Sequence, residues 1–188
     1  MTKEELEAIL EGGTETISLD FKSAMQWDVK KLAKDFLAFA NVQDGGTIVI
    51  GVREESNTYV REGVSEEQKI TYNTDRMRDD LRKYADPYVS FTVEFPVDRG
   101  KLQYVVIKIR EFDEIPVVCA CDSEDTKATR IYFRNRNRRI ESAPVSNSND
   151  LRDIVERAGI KMMQRFKKIG LSANPSAKEK LDKELGGL

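Results

Sequence analysis

The pattern of hydrophobic and polar residues predicts short alternating elements in the first quarter of the chain. A capping-box spacing at Thr2 begins a short helix that ends at the two glycines 12–13. Residues 15–22, ETISLDFK, alternate apolar and polar side chains as a strand does. Residues 29–40 repeat apolar side chains at helical intervals, and residues 47–52, TIVIGV, form the continuous apolar run of a buried strand. The predicted order is helix, strand, helix and central strand.

The rest of the chain predicts a second group of elements after a long polar connection at residues 53–73. These elements are a helix at 77–85, an antiparallel hairpin at 89–109, short strands at 116–121 and 130–134, and a late helix at 151–168. Together the elements predict an α/β (α+β) fold with a mixed, largely antiparallel sheet flanked by helices.

Composition limits the chemistry that this fold can carry. The 188 residues include no histidine, which excludes the usual zinc sites and all histidine-based catalysis. Catalysis would therefore use carboxylates, lysines, hydroxyls or a hard metal ion. The net charge of −2 gives no overall attraction to nucleic acid, so binding would need a local basic patch. No apolar run approaches 18 residues, so we expect no membrane partner and a cytoplasmic protein.

Two acids and a lysine crowd the first predicted strand. Asp20 and Lys22 share one strand face, whereas Glu15 would point to the opposite face unless the chain bends near Thr16. Three interpretations are open: a solvated strand face, a carboxylate site for Mg²⁺ or Mn²⁺, or an acidic pocket that orients a neighbouring lysine or arginine. In a metal site, Lys22 would neutralise a phosphate oxygen.

Residues 129–139, TRIYFRNRNRR, form a second candidate site. The members of one strand face are Arg130, Tyr132, Arg134, Arg136 and Arg138, and the adjacent Arg139 and the earlier Arg110 add two more cations. A ladder of guanidinium groups suits a phosphate backbone, and the tyrosine could stack on an unpaired base. The alternative is a solvated edge strand whose charges prevent aggregation.

Four segments in this order, ETISLDFK, AFANVQDGG, TIVIGVREE and RIYFRNRNRRIESA, resemble the Schlafen Alba-like domain over roughly residues 8–158. That family includes DNA-binding regulators and ribonucleases that cut transfer and ribosomal RNA. In the ribonucleases three acids carry the chemistry, and the matching positions here are Glu15, Asp20 and Glu54. The resemblance implies a Mg²⁺- or Mn²⁺-dependent endoribonuclease acting on structured RNA such as tRNA. The alternatives are a non-catalytic DNA-binding regulatory module and a protein-interaction subunit that uses the C-terminal helix.

The chain departs from the family pattern in three places. The family more often has glutamate where Asp20 stands and often aspartate where Glu54 stands, so two carboxylates have changed length. The segment NVQDGG is also one residue longer than the common NTxGG. These departures keep the charge but put the geometry of a metal site in question.

The resemblance also suggests a domain division and an assembly. Residues 1–158 are expected to form the nucleic-acid-binding domain, and residues 159–188 a C-terminal helix and polar tail. Schlafen nucleases hold two such domains face to face in one chain, whereas this chain carries one, so we expect a homodimer. Trp27, the hairpin at 88–109 and the late helix are the candidate contact surfaces.

Overall fold

The computed structural model describes residues 1–56, 58–134 and 140–169. Its helices are α1 (Lys3–Gly12), α2 (Val29–Ala40), α3 (Glu66–Lys69), α4 (Thr74–Leu81) and α5 (Ser148–Lys168). Its strands are β1 (Leu19–Lys22), β2 (Gly46–Ile50), β3 (Val52–Glu55), β4 (Thr58–Arg61), β5 (Ala85–Asp86), β6 (Phe91–Glu94), β7 (Val105–Ile109), β8 (Val118–Cys119), β9 (Tyr132–Arg134) and β10 (Ser142–Pro144).

The main sheet has four strands in the order β1-β2-β7-β6. β1 is parallel to β2, with Asp20 opposite Ile48, whereas β2 with β7 and β7 with β6 are antiparallel. This arrangement confirms the predicted mixed, largely antiparallel sheet flanked by helices. β1 lies at one edge of the sheet, so one side of its backbone is free of strand partners.

Three two-stranded ladders surround the main sheet: β3 with β4, β5 with β8, and β9 with β10. The long polar connection predicted at residues 53–73 contains regular structure that the sequence pattern did not indicate, namely the β3–β4 ladder and the short helix α3. Thr58, Tyr59 and Val60 favour a strand, but the run is too short and too mixed to give a clear alternation.

Each face of the sheet covers its own hydrophobic core. On one face, Ile48 and Ile107 pack with the buried side of α2, including Phe36 and Leu37. On the other face, Val49 packs with the residues of α1. The alternation along β2 assigns its side chains to these two cores, as expected for a strand that is buried on both sides.

Asn41 ends α2 and ties it to two later segments. Its side-chain amide is fully buried and donates to the carbonyls of Leu37, Val117 and Tyr132 at 2.8–3.0 Å. Its carbonyl accepts the backbone N–H of Val117 at 2.8 Å. Because every one of these polar groups is buried, loss of the amide would leave several of them unpaired. Asn41 therefore fixes β9 against the end of α2.

Helix α5 begins at the N-cap Asn147 and continues through Gly159 to Lys168, so the predicted domain boundary at residue 158 falls inside one helix. Ile154 is buried in the larger core, and Arg157 pairs with Glu111. The same guanidinium donates to the carbonyl of Asn41 at 2.6 Å. These contacts attach the first half of α5 to the domain.

The predicted role of Trp27 as a contact between subunits is wrong. Its side chain is buried, its indole N–H donates to Asp80 at 2.9 Å, and its ring packs against Phe36 and Tyr72. Trp27 is a core residue, because the chain before α2 lies across the helix that begins at residue 74. Within the described residues, no helix combines the length and hydrophobicity needed to span a membrane.

Candidate functional site

The chain reverses direction just before β1, as convergence of Glu15 with Asp20 requires. Thr16 and Leu19 exchange two backbone hydrogen bonds of 3.0 and 3.3 Å, which close a tight turn over residues 17–18. The turn brings the Glu15 carboxylate back to β1, where it accepts the backbone N–H of Phe21 at 3.1 Å. Glu15 therefore binds the edge of β1 that carries no neighbouring strand.

Asp20 is buried and bound to an arginine that lies 114 positions later in the sequence. Its Oδ1 atom accepts from Nη1 of Arg134 at 3.0 Å, and the two side chains are only 5 % and 1 % exposed. Arg134 also donates to the carbonyls of Thr16 and Leu19, at 3.2 and 3.4 Å, and its guanidinium lies 4.7 Å from the Phe39 ring centre. This multiple binding offsets part of the cost of taking both charges out of water, although Nε of Arg134 has no hydrogen-bond partner among the described residues.

Two further charges complete the cluster. Nζ of Lys22 lies 2.5 Å from Oδ2 of Asp20 and 3.3 Å from Oδ2 of Asp35, which projects from α2. Ser142 on β10 donates to the other oxygen of Asp35 at 2.6 Å. We call Asp20, Lys22, Asp35 and Arg134 the buried charge network. Its two acids and two bases cancel in formal charge.

The network stabilises the charged form of Lys22. Burial by itself would lower the pKa of the Lys22 amine, but the attraction of Asp35 and of Asp20, with hydrogen bonds to both, raises the pKa above its ordinary value. Lys22 therefore remains a cation that is partly accessible to solvent, with about a third of its side chain exposed.

Tyr59, a residue that the sequence did not single out, lies within electrostatic reach of the three predicted carboxylates. Its ring centre lies 4.8 Å from that of Phe21, and it is opposite Glu54 in the β3–β4 register. Burial raises the pKa of the Tyr59 phenol, and the negative charges of Glu15, Glu54 and Asp20 raise it further. The three acids are therefore neighbours in electrostatic terms.

The same acids do not form a ready metal site. Among the described residues, no group of three aspartate, glutamate or cysteine side chains is arranged to hold a metal ion. The reasons are local: Asp20 faces Arg134 and Lys22, Glu15 binds a backbone amide, and Glu54 is exposed on β3. Mg²⁺ or Mn²⁺ does not fit this arrangement. The contacts match the third interpretation, an acidic pocket that orients a lysine and an arginine.

The predicted arginine ladder is wrong at its two central members. Tyr132 and Arg134 do share one face of β9, but that face is turned inward, with 2 % and 1 % of the residues exposed. β9 packs on α2 and pairs with β10, which buries the face that carries them. Arg110 and Arg130 are exposed. The other predicted members, Arg136, Arg138 and Arg139, lie outside the described residues.

Sequence reasoning missed a set of lysines on the exposed side of α2. Lys30 and Lys31 are exposed and Lys34 is half-buried, and the positions i, i+1 and i+4 place them on one side of the helix. The apolar periodicity of residues 29–40 predicted the buried side of α2. The lysines occupy polar positions of the same periodic pattern, which could have predicted the exposed side. Sequence reasoning also missed Asp35 of α2. An acid within a run of buried residues, directly after Lys34, could have identified it as a member of a buried charge pair.

An open groove of about 780 Å³ lies beside the Thr16 turn. Its lining residues are Thr16, Ile17, Ser18, Gln43, Asp44, Gly45, Gly46, Thr47, Lys108, Ile109 and Arg110. Lys108 is held by Glu94 at 2.9 Å, which leaves Arg110 as the exposed cation of the groove.

Comparison with known proteins identifies the family. Residues 15–142 match the family described as Schlafen, AlbA_2, and the chain belongs to that family. Family membership supports a nucleic-acid-related role for the domain. No curated protein matches the chain.

The solved structures that resemble the chain include the following two. The DIP2311 protein from Corynebacterium diphtheriae is 16% identical with a TM-score of 0.50, and the match covers 80% of this chain and 27% of that protein. The present chain thus spans about a quarter of that relative. The N-terminal domain of an ATP-dependent DNA helicase RecG-related protein from Nitrosomonas europaea is 18% identical, with a TM-score of 0.46 over 79% of this chain and 99% of that domain.

Replacing Arg134 by methionine should strongly destabilise the fold. The substitution keeps much of the apolar volume but leaves the buried Asp20 without its main partner, which costs about 3–5 kcal/mol of unfolding free energy in comparable sites. Urea denaturation measures the loss. Arg130→Met, which removes an exposed arginine of the same segment, is the control and should change stability little. Equal stability of the two variants would contradict the buried role of Arg134.

Replacing Glu15 by glutamine should change how stability depends on pH. Burial, followed by repulsion from Asp20, raises the pKa of Glu15 above its ordinary value of 4.5 in the folded protein. Its protonated form therefore favours folding, and this contribution is present below pH 4.5 and lost as pH rises through the folded pKa. Glu15→Gln should become more stable relative to wild type across that window in denaturation at a series of pH values. A relative loss of stability with rising pH would contradict the raised pKa.

Proposed function

We propose that this chain is a nucleic-acid-binding domain that contacts the phosphate backbone through exposed cations of α2. The observation that carries this proposal is the position of Lys30, Lys31 and Lys34, beside acids that are already neutralised. None of the three lysines is paired with an acid among the described residues. They are therefore available to an anion from solution.

The buried charge network makes this surface attractive to phosphate. Asp20 and Asp35 would repel a polyanion if they were free, but Arg134 and Lys22 cancel them at distances of 2.5–3.3 Å. The remaining local positive charge therefore comes from the three lysines of α2. The local positive charge of α2 thus supplies the attraction to phosphate that the net charge of −2 does not provide.

The family favours RNA as the first ligand to test, with DNA as the alternative. Phosphate contacts position a protein on either polymer without reading its sequence, so the lysines alone do not select between them. Arg110 and Arg130 are further exposed cations that could extend the contact surface.

A second candidate function is the metal-dependent endoribonuclease activity expected from the family resemblance. The observation that favours it is that Glu54 lies opposite Tyr59 in the β3–β4 register, while Glu15 binds the backbone N–H of Phe21, whose ring contacts Tyr59. In the present arrangement Asp20 is bound to Arg134 and Lys22, so a site for Mg²⁺ or Mn²⁺ would require those contacts to change. Binding therefore has stronger support than cleavage.

Removing the α2 lysines should weaken binding to both RNA and DNA. The triple variant Lys30→Gln, Lys31→Gln and Lys34→Gln should lower affinity and make the negative slope of log K against log salt shallower by about 2.7 on duplex DNA, because three fewer phosphate contacts release fewer counterions. Fluorescence anisotropy with labelled tRNA and with duplex DNA measures both quantities. The matched control is Lys3→Gln, Lys101→Gln and Lys127→Gln, which removes the same charge from exposed positions elsewhere. Identical losses in the two variants would contradict a binding role for α2.

Glu54 provides the cleanest test of cleavage. Glu54→Gln changes an exposed side chain and should leave the fold intact, unlike a substitution of the buried Asp20. If the protein cuts RNA, cleavage of a tRNA pool should require Mg²⁺ or Mn²⁺, disappear with chelator, and be lost in Glu54→Gln. The adjacent exposed Glu55→Gln should cut as wild type does. Cleavage that survives chelator or Glu54→Gln removes the metal hypothesis, and binding without cleavage leaves the binding function alone.

A further inference from the structure

Helix α5 carries an exposed apolar stripe beside the side that attaches it to the domain. The stripe consists of Leu151, Val155, Met162, Phe166 and the C-cap Ile169, whose exposed fractions are 44, 56, 41, 43 and 58 %. Side chains of this size are rarely exposed together on an isolated surface, and a contiguous apolar patch usually marks an interaction site.

The spacing of these residues makes them one continuous surface. Successive intervals of four, seven, four and three positions keep the side chains within a narrow sector of the helix. At 1.5 Å per residue the stripe runs for about 27 Å along the helix axis. Met163 and Ile160 are also exposed, but they lie on other sides of the helix.

We propose that the stripe binds the same stripe of a second copy, with the two α5 helices antiparallel. The stripe is self-complementary about its middle, where the small residues Ala158 and Gly159 occur. A twofold axis at residue 160 places Leu151 opposite Ile169, Val155 near Phe166, and Met162 over Ala158 and Gly159. Each large side chain thus faces a large one near the ends or a small one at the centre.

Charge along α5 favours the antiparallel orientation. The first half contains three acids, Asp150, Asp153 and Glu156, and two arginines, whereas residues 159–168 contain four bases and no acid. Lys161 and Arg165 pair with acids of their own subunit, which leaves Lys167 and Lys168 exposed. Antiparallel pairing places these lysines beside the acidic half of the partner helix, whereas parallel pairing would place like charges side by side.

Sedimentation velocity of the full chain over a range of micromolar concentrations tests the proposal. Wild type should show a reversible monomer–dimer equilibrium. The double variant Met162→Ser and Phe166→Ser should raise the dissociation constant at least about tenfold, because Met162 lies beside the twofold axis and Phe166 is the largest apolar side chain of the stripe. The control Met163→Ser removes a more exposed methionine outside the stripe and should dimerise as wild type does.

Cysteine cross-linking then tests the orientation, in a background where the partly exposed Cys121 is replaced by serine. A mixture of Leu151→Cys and Ile169→Cys chains should give the mixed disulfide in preference to either self-pair. Preferential Leu151 self-pairing would overturn the antiparallel arrangement. A wild-type monomer at all concentrations would overturn the proposal, and a monomer destabilised by the double variant would show that the chain itself covers the stripe.

Discussion

The ion pair between Asp20 and Arg134 fixes the candidate site, because it joins β1 and β9, which belong to different sheets. Arg134 belongs to β9, yet it covers the free edge of β1 and packs on Phe39 of α2. A pair buried this deeply stabilises a protein only if its remaining hydrogen-bonding groups are also satisfied. The carbonyls of Thr16 and Leu19 fulfil much of that requirement, so the turn before β1 and the ion pair depend on each other.

The buried charge network also limits the chemistry that the predicted carboxylates can perform. From the sequence, Glu15, Asp20 and Glu54 were predicted to be metal ligands, because oxygen ligands are what Mg²⁺ and Mn²⁺ prefer. In the folded protein Asp20 is already bound to Lys22 and Arg134. Its carboxylate is therefore not available as a metal ligand in this arrangement. In the proposed function the surface lysines of α2 attract phosphate, since no free acid of the network opposes them.

Local patterns in the sequence predicted most of the fold. The periodicity of residues 29–40 gave α2, the alternation at 89–109 gave the β6–β7 hairpin, and the conflict between Glu15 and Asp20 on a straight strand required the turn near Thr16. These features depend on neighbours within a few positions. The residues themselves therefore carry enough information to place them.

The site could be predicted only in part, because its geometry depends on distant contacts. The shared face of Tyr132 and Arg134 followed from strand parity, but which side of β9 is buried depends on α2 and β10. Asp35 and Ser142 come together across 107 positions, and no local pattern signals their hydrogen bond. The sequence did not single out Tyr59, because its strand is only four residues long and gives too short a pattern to recognise.

The hydrogen bond from Phe21 to Glu15 has a consequence for the behaviour of the protein at high concentration. β1 ends the sheet, and an open strand edge offers amides on which another polypeptide can add by backbone pairing. Glu15 occupies one of those amides, and its carboxylate and the Arg134 guanidinium lie where an incoming strand would have to bind. A chain that has lost both groups would expose a template for fibre growth, so the residues of the candidate site also help to keep folded molecules apart.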